Sequence, residues 1–455
     1  MAHNHRKIGI EIPEILMPGK QVDLAKWSVV ACDQYTSQPE YWQQVKETLG
    51  DAPSTLHMIF PEVYLEEKDA DVRIEYINRN MAAYLEENIL VPQNPGFVYV
   101  ERQMSGHQSR KGLIMAVDLE QYDYGKGSQT LIRATEGTVL DRLPPRIKIR
   151  EHASVELPHI MLLIDDPGRT VIEPVAERTE TFEKLYDFDL MMNGGNIKGY
   201  KVDDENTISE IIAALEKLAE PKAFQAKYQV DSSQEVLLFA VGDGNHSLAT
   251  AKVCWEQLKQ TLSEEERAHH PARFALVEVV NVHDDALIFE PIHRVVFNVH
   301  GSQMPEEMLA YFKRFQMDAY YKTYATQREM ENDLKVLQAR QRGHIIPFIT
   351  SEHYGMIIVN RPNHQLEVGT LQAFLDDYTD KNANIKIDYI HGEEVVEQLG
   401  SIEGNIGFYL PPMDKHDLFK TVILDGALPR KTFSLGEAHE KRFYLECKLI
   451  VNKAN

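Results

Sequence analysis

The segment 235–252 (EVLLFAVGDGNHSLATAK) limits the folds open to this chain more than any other part of the sequence. Residues 235–241 form an apolar run of the length that suits a buried strand. After the turn, the apolar residues fall on one face of a helix, at Leu248, Ala251, Trp255 and Leu258. Because glycine on both sides of Asp243 lets the backbone turn tightly, the segment predicts a strand that runs directly into a helix.

This turn predicts an anion-binding site. The first N–H groups of a helix lack partners within the helix and carry a partial positive charge, so they attract phosphate or carboxylate groups. Asp243 and His246 stand where they could bind a metal ion or move a proton. A structural interpretation is equally open, because Asp243 or Asn245 would cap the helix while His246 packs at the surface.

The rest of the chain has the pattern of a mixed α/β protein. Its 455 residues exceed the size at which one hydrophobic core stops growing, which is roughly 250–300 residues. We expect an α/β region over residues 1–300 that carries the site, and a smaller α/β unit over residues 301–455. The pattern also predicts helices over 69–88, near 416–424 and after capping boxes at Thr207 and Thr326, a hairpin over 157–175, a hairpin turn at 194–196, and strands over 112–123, 344–350, 355–360, 407–410 and 442–450.

The charge balance limits the partners of this chain. Asp and Glu number 70 against 48 Lys and Arg, for a net charge of −22. A diffuse negative field of this kind disfavours the phosphate backbone of nucleic acids and anionic membranes. A small anionic metabolite or a nucleotide remains an expected partner where a local basic patch reverses the field.

The cysteines and the apolar runs predict a cytoplasmic protein. Cys32, Cys254 and Cys447 are far apart and lack CxxC spacing, which argues against a disulfide framework and a zinc site. No stretch of about 18 apolar residues and no signal-peptide pattern occurs. The sequence leaves the oligomeric state open.

The segment 141–150 (DRLPPRIKIR) is the basic patch. If it is extended, Arg146, Lys148 and Arg150 lie on one face and two isoleucines on the other, which predicts a site for phosphate or carboxylate groups. The alternative is a solvated strand face neutralised by nearby acids. The segment 135–138, with Glu136 and Thr138, lies just upstream and favours the binding site.

Two further positions place charge within or after apolar runs. His293 and Arg294 interrupt the run 289–297, and Asp33 follows the run 29–31. Such residues must lie at the end of a strand, be paired, or face a cleft. Structural ion pairs and a binding site both fit this pattern. The sequence lacks the loops GxxxxGK[ST], HExxH and GxSxG, so several common enzyme classes lose their usual evidence.

Taken together, these segments resemble the bacterial and archaeal domain-of-unknown-function family 1015. Members of that family carry an apolar strand followed by a DGHHR-like turn, which here reads Asp243-Gly244-Asn245-His246-Ser247. The likeness keeps its order over most of the chain. The other matching blocks are the Asp33 region, LHMIFPE (56–62), GLIMAVDLEQY (112–122), Glu136 with Thr138, PIHR (291–294) and ALPRKT (427–432).

The resemblance implies phosphoryl transfer, because the DGHHR-like turn is similar to the turn of ParB-type nucleotide-binding proteins and of a related free-serine kinase. The implied activity is a metal-assisted phosphotransferase that acts on a small hydroxyl-bearing metabolite, with Mg²⁺ and a nucleotide as expected cofactors. Two departures remove one titratable group and one guanidinium: Asn245 replaces the first histidine of the pattern and Ser247 the arginine. A phosphate-ester hydrolase and a non-catalytic sensor of nucleotides or phosphometabolites are the alternatives.

The roles implied for the site residues are as follows. Asp243 binds Mg²⁺ or accepts the hydroxyl proton, His246 contacts a phosphate, and Glu136 is the reserve general base. The residues expected to bind substrate or phosphate are Gly244, Asn245, Ser247, Thr138, Arg146, Arg150, His293 and Arg294. We expect Asp243, His246, Glu136, Arg146 and His293 to converge on one cleft.

Overall fold

The computed structural model of the chain describes residues 5–65, 67–104, 108–138, 140–340 and 343–452. The chain is a mixed α/β protein, as the sequence predicts. It divides into two compact units, Met1–Ile288 with Leu435–Asn455, and Phe289–Ser434. The domains expected over 1–300 and 301–455 remain a prediction. A compact unit is defined by its internal contacts, whereas a domain must also fold by itself.

The first unit contains one large sheet with helices around it. Its strands up to residue 281 are β1 (Ile10–Glu11), β2 (Leu16–Pro18), β3 (Leu90–Pro92), β4 (Phe97–Gln103), β5 (Arg110–Asp118), β6 (Tyr122–Asp123), β7 (Ile132–Arg133), β8 (Val155–Glu156), β9 (Met161–Ile164), β10 (Glu183–Asp189), β11 (Asn196–Val202), β12 (Phe239–Asp243) and β13 (Phe274–Asn281). Its helices are α1 (Leu24–Trp27), α2 (Pro39–Leu49), α3 (Ala70–Glu86), α4 (Leu143–Arg150), α5 (Glu173–Ala176), α6 (Glu205–Leu218), α7 (Pro221–Tyr228), α8 (Asn245–Leu258) and α9 (Glu264–His269).

The large sheet has the strand order β10-β11-β4-β5-β13-β9-β12-β7-β6, and β1 pairs with β5. Its central strands β5, β9 and β13 are buried along nearly their whole length. Strands covered on both faces need apolar side chains in both directions, which is why these segments read as continuous apolar runs.

The neighbours of β12 bring the site residues to one edge of this sheet. β12 runs antiparallel to β9, so its last residue, Asp243, lies opposite Met161 at the start of β9. Residues 158–160 therefore lie beside the turn after β12. On its other side β12 runs parallel to β7, with Ala240 opposite Arg133. Since parallel strands end at the same edge, residues 134–138 leave β7 beside that turn as well.

The C-terminal segment 441–447 returns to the first unit and is fixed by a buried arginine. Arg442 forms ion pairs of 2.5 Å with Glu278 of β13 and with Glu446, and all three side chains are almost fully buried. Its Nε atom also donates to the Pro158 carbonyl oxygen. Buried charges need such partners, because taking an unpaired ion out of water on folding is strongly unfavourable.

Backbone hydrogen bonds join the same segment to residues 29–31. The Ala31 N–H donates to the Arg442 carbonyl, and the Tyr444 N–H donates to the Val29 carbonyl. The predicted strand over 442–450 is wrong for most of its length, because only β22 (Lys448–Leu449) is a strand, paired with β8. Side-chain ion pairs and hydrogen bonds, together with these few backbone bonds, hold the segment in place of a continuous ladder of backbone hydrogen bonds.

Three other predictions from the sequence are wrong in detail. Residues 157–175 do not form a hairpin, because β12 and β13 pair with both edges of β9. After β9, the Asp166 carboxylate stabilises a turn by accepting from the Thr170 and Val171 N–H groups. Asp204, and not Thr207, caps α6. The basic segment 141–150 is not extended, as the alignment of its three cations on one face requires, but becomes α4 from Leu143, since Leu143 is followed by two prolines, which favour a first helical turn.

Several predictions are confirmed. They are the helix over 69–88, seen as α3, the strand, turn and helix of 235–252, seen as β12 and α8, and the hairpin turn at 194–196, which joins β10 and β11. In the second unit, Thr326 caps a helix by accepting from the Glu329 N–H group.

The second unit has a six-stranded sheet in the order β16-β18-β17-β20-β15-β19. The strands of residues 289–435 are β14 (Phe289–Pro291), β15 (His293–Phe297), β16 (Ala319–Tyr324), β17 (His344–Ile349), β18 (Tyr354–Val359), β19 (Lys386–Ile390), β20 (Asn405–Phe408) and β21 (Phe433–Leu435). The helices are α10 (Met304–Arg314), α11 (Gln327–Gln338), α12 (Glu367–Lys381), α13 (Glu393–Gly400) and α14 (Leu418–Asp425). Within the described ranges, neither unit has a helix long and apolar enough to span a membrane.

We predict that Arg442→Met lowers the free energy of unfolding of the first unit by about 3–5 kcal/mol, because the buried Glu446 loses its ion pair and Glu278 keeps the longer pair with Arg110 at 3.6 Å. Urea unfolding followed by tryptophan fluorescence measures this change, since Trp27, Trp42 and Trp255 are all in the first unit. The control is Arg178→Met, which removes a half-exposed ion pair with Glu210 and should change stability by less than about 1 kcal/mol. Equal unfolding midpoints for the two variants would contradict the account.

Candidate functional site

The turn between β12 and α8 leaves the start of the helix open. Gly244 precedes α8 with φ 82° and ψ 27°, and a Cβ atom here would lie 3.0 Å from the Ile160 Cα atom. Glycine satisfies both the left-handed conformation and the close approach. Among the described residues no side chain caps α8, and its first turn holds no acidic residue. The Asp243 carboxylate, which precedes Gly244, is the nearest acidic group along the chain, and it accepts from the Gly244 N–H group ahead of the first turn.

Asn245, a candidate for the cap, holds the neighbouring segment. Its Oδ1 atom accepts from the Thr135 N–H group at 3.3 Å, and its Nδ2 atom lies 3.4 Å from the Thr135 hydroxyl. The Thr135 hydroxyl donates to the Val241 carbonyl of β12. The structure thus brings the half-buried Glu136 and Thr138, which follow Thr135, to the same edge of the sheet as the turn.

Asp243 is held by two donors. Its Oδ1 atom accepts from the Gly244 N–H group at 2.9 Å, and its Oδ2 atom lies 3.0 Å from the Lys441 Nζ atom. The Lys441 side chain is 11% exposed and that of Asp243 27% exposed. A cation from the C-terminal segment therefore lies next to the turn.

His159, just before β9, is the centre of the hydrogen-bond network. Its Nε2 atom lies 3.0 Å from the Ser247 hydroxyl and 3.5 Å from the Asp33 carboxylate. Its Nδ1 atom lies 2.6 Å from the Tyr444 hydroxyl. The ring is almost fully buried, yet it contacts polar groups on both of its nitrogen atoms.

The charges around His159 favour an ion pair with Asp33. Burial alone would lower the pKa of His159, but the carboxylates of Asp33, Asp243 and Glu62 together raise it. Burial would raise the pKa of Asp33, but His159, Gln34 and Lys441 hold it below its ordinary value. Each partner thus stabilises the charged form of the other.

A cavity of about 150 Å³ opens beside this network. Its polar lining residues include Glu62, Arg146, His159, Ser247 and Tyr444, and the wall is otherwise largely apolar, with Met58, Phe60, Leu65, Met81, Ile149 and Ile160. Glu62 and Arg146 form an ion pair within it. Burial, with Asp33, raises the pKa of Glu62 although Arg146 acts in the opposite direction. Ser247 and His159 connect the cavity with the turn.

The helical form of 141–150 separates the three predicted cations. Arg146 and Arg150 are four residues apart, so they share one face of α4, and both line the cavity. Lys148 instead pairs with the exposed Asp71. Arg150 pairs with the buried Glu156 at 2.6 Å. Arg146 is therefore the cation of the patch that faces the network most directly, through Glu62.

His293 and Arg294 lie in the second unit, at the start of β15. Arg294 is fully buried and donates to the Gln372 side chain and to the carbonyls of Ile292, Arg430 and Lys431. His293 accepts from the Leu410 N–H group at 3.0 Å, and burial, with Arg294 and His391, lowers its pKa to about 4. Both residues have roles inside their own unit. Their convergence with the turn stays a prediction.

The sequence interpretation missed four residues of the network: Glu62, His159, Lys441 and Tyr444. It named Asp33 without assigning it to the site. His159 carried a weak signal, since it stands between Pro158 and an apolar run, where a histidine needs a polar partner. Lys441 and Tyr444 carry no local signal, because each makes its contact across more than a hundred residues of chain.

A metal site made of protein ligands alone is absent from the described ranges. No group of three or more His, Cys, Asp or Glu side chains there could hold a metal ion. Mg²⁺ in phosphate-binding sites commonly takes one or two carboxylates and completes its shell with phosphate oxygens and water. Asp243 fits that kind of ligand, because its half-buried carboxylate lies beside the start of α8, where phosphate oxygens are attracted.

Solved structures offer distant likenesses. A conserved hypothetical protein from Pyrococcus furiosus is 11% identical with a TM-score of 0.34, over 73% of this chain and 90% of that chain. A free serine kinase in complex with AMP is 11% identical with a TM-score of 0.35, over 73% of this chain and 87% of that chain. No protein with curated annotation matches the chain.

A family model places the chain more firmly. The model described as "Protein of unknown function (DUF1015)" matches residues 16–378. That range includes Asp33, His159 and the turn 243–247, whereas Lys441 and Tyr444 lie beyond it. Because the match spans well over half of the sequence, this chain belongs to the DUF1015 family.

Proposed function

We propose that this chain is a metal-assisted phosphotransferase, which transfers a phosphoryl group from a nucleotide or another phosphate donor to the hydroxyl group of a small metabolite. The observation that carries the proposal is the uncapped N-terminus of α8, which lies between Lys441 and the His159 imidazole. Helix N–H groups and nearby cations are the groups that stabilise a phosphate, both bound and in transfer.

The charges of the site support a role for Mg²⁺. The cationic groups are Lys441, His159 and Arg146, and the carboxyl groups are Asp33, Asp243 and Glu62. These charges roughly cancel, so the side chains alone would not neutralise a nucleoside triphosphate. A divalent cation bound by Asp243 and the phosphates would supply that charge.

The chain's own residues would then divide the work. The first N–H groups of α8 would bind the phosphate, and Lys441 would neutralise its charge while it holds the Asp243 carboxylate. Asp243 binds the metal ion or takes the proton of the acceptor hydroxyl, and Glu136 is the reserve base. His246, at the start of α8, contacts the phosphate. Arg146 stabilises charge that develops on the side of the cavity.

The cavity supports a small acceptor. Its volume of about 150 Å³ and its largely apolar wall would take a compact metabolite, while the ion pair of Glu62 and Arg146 offers a polar contact at one place. The acceptor would reach the turn past Ser247 and His159, which line the cavity.

The experiment is a transfer assay with the full chain, radiolabelled Mg·ATP and a panel of hydroxy amino acids. We expect label to move to an acceptor, and calorimetry to show nucleotide binding. Release of inorganic phosphate without an acceptor would replace the proposal with a hydrolase. Thermal stabilisation by ATP without turnover would replace it with a sensor. If the chain neither bound ATP nor transferred phosphate, the proposal would be wrong.

Asp243→Asn tests the metal ligand. The amide can still accept from the Gly244 N–H group, but it loses the charge that holds Lys441 and binds Mg²⁺. We expect the gain in ATP affinity on adding Mg²⁺ to fall by about tenfold or more, with a stability loss of about 1 kcal/mol.

Calorimetry of ATP with and without Mg²⁺ measures the effect of Asp243→Asn, and thermal unfolding checks the fold. The control is Asp231→Asn, which removes an exposed carboxylate that accepts from the N–H and hydroxyl groups of the nearby Ser233. If Asp243→Asn bound Mg·ATP as tightly as the control, Asp243 would have no part in metal binding.

A further inference from the structure

Ser247 and His159 have the geometry of a nucleophile and its base. The Ser247 hydroxyl lies 3.0 Å from the His159 Nε2 atom. On the other side of the ring, the Nδ1 atom lies 2.6 Å from the Tyr444 oxygen. When His159 is neutral, an Nδ1–H group that donates to Tyr444 leaves the Nε2 lone pair directed at the Ser247 hydroxyl. This is the tautomer that a general base requires.

Two neighbours hold the ring, and His159 becomes this base when the imidazolium paired with Asp33 has lost its proton. The Tyr444 oxygen also accepts from the Cys32 N–H group at 3.2 Å, so its position is set by backbone as well as by the ring. Burial keeps the pKa of Tyr444 well above its ordinary value, so the hydroxyl stays neutral. The Asp33 carboxylate, 3.5 Å from Nε2, would stabilise the imidazolium that forms when His159 takes a proton.

The place of Ser247 suits a phosphorylated side chain. It is the third residue of α8, in the uncapped first turn, so negative charge on its oxygen would be stabilised by the helix dipole. It lines the cavity and is half-buried, so it is open to a ligand. Ser247 also occupies the position at which the DGHHR-like turn of the family has an arginine, so a hydroxyl replaces a guanidinium there.

We infer that Ser247 is the nucleophile of the reaction and carries the phosphoryl group as a covalent phosphoserine between donor and acceptor. In the first step the Ser247 oxygen forms a bond to the terminal phosphorus of the donor, and the bond from that phosphorus to the nucleoside diphosphate breaks. His159 takes the hydroxyl proton. The inference rests on the proposed function and adds an intermediate to it.

In the second step the acceptor hydroxyl attacks the same phosphorus. The bond between phosphorus and the Ser247 oxygen breaks, and His159 returns its proton to that oxygen. The proton of the acceptor passes to the Asp243 carboxylate and then to solvent. Serine, His159 and Asp243 are thereby restored, and the net reaction is transfer from donor to acceptor.

The direct test is acid quenching of the full chain after a single turnover with radiolabelled Mg·ATP, followed by intact-mass measurement. We expect wild type to gain the mass of one phosphoryl group and Ser247→Ala to gain none. Calorimetry should still show ATP binding by Ser247→Ala, with an affinity within about tenfold of wild type, because the variant loses one hydrogen bond. The control Ser233→Ala changes an exposed loop serine and should be labelled as wild type is.

The pH dependence of phosphoenzyme formation tests the base. His159 must be neutral to accept the proton, so the rate should rise as pH rises through its pKa. That pKa is raised by Asp33, Asp243 and Glu62, and Tyr444 faces the ring as a neutral group, so the rise should lie above the ordinary value of about 6.5. Asp33→Asn removes one of these charges and should shift the rise to lower pH. A rise at the same pH in both proteins would overturn the role of His159.

The failures of the two proposals are distinguishable. If wild type transferred phosphate to an acceptor with no labelled intermediate, and Ser247→Ala kept turnover within about threefold, transfer would be direct and Ser247 would not be the nucleophile. The phosphotransferase would then stand without the covalent step. If wild type neither bound ATP nor transferred phosphate, both proposals would fall together.

Discussion

The site depends on the buried ion pairs of Arg442. This guanidinium joins Glu278 of a central strand, Glu446 of its own segment and the carbonyl of Pro158. Its neighbours in the chain, Lys441 and Tyr444, reach the turn and the imidazole ring because Arg442 cannot move without breaking two buried ion pairs, with Glu278 and with Glu446. One interaction thus holds both the C-terminal segment and the residue before His159.

The network that results combines rigidity with open binding groups. His159 is buried and held on both nitrogen atoms, whereas the first turn of α8 beside it has no side-chain cap among the described residues. Gly244 is required there by its left-handed φ and by the close approach of Ile160, so α8 begins without a side chain at its N-cap.

The sequence allowed the local parts of this arrangement to be predicted and not the distant ones. The strand, turn and helix of 235–252 depend on apolar spacing and glycine, which are local signals. Lys441 meets Asp243 across 198 residues, a contact set by tertiary packing alone. The basic segment was misassigned because Arg146 and Arg150 are four residues apart, a spacing that fits one face of a strand and one face of a helix equally well. The two prolines after Leu143 decide for the helix.

The central claim is that the turn before α8 holds the phosphate of a ligand. A crystal structure of the full chain with Mg·ADP tests it most directly. The account predicts that phosphate oxygens accept from the N–H groups at the start of α8, with the Lys441 ammonium beside them and the metal ion on the Asp243 carboxylate. A nucleotide bound elsewhere in the chain, with no phosphate at this turn, would contradict it.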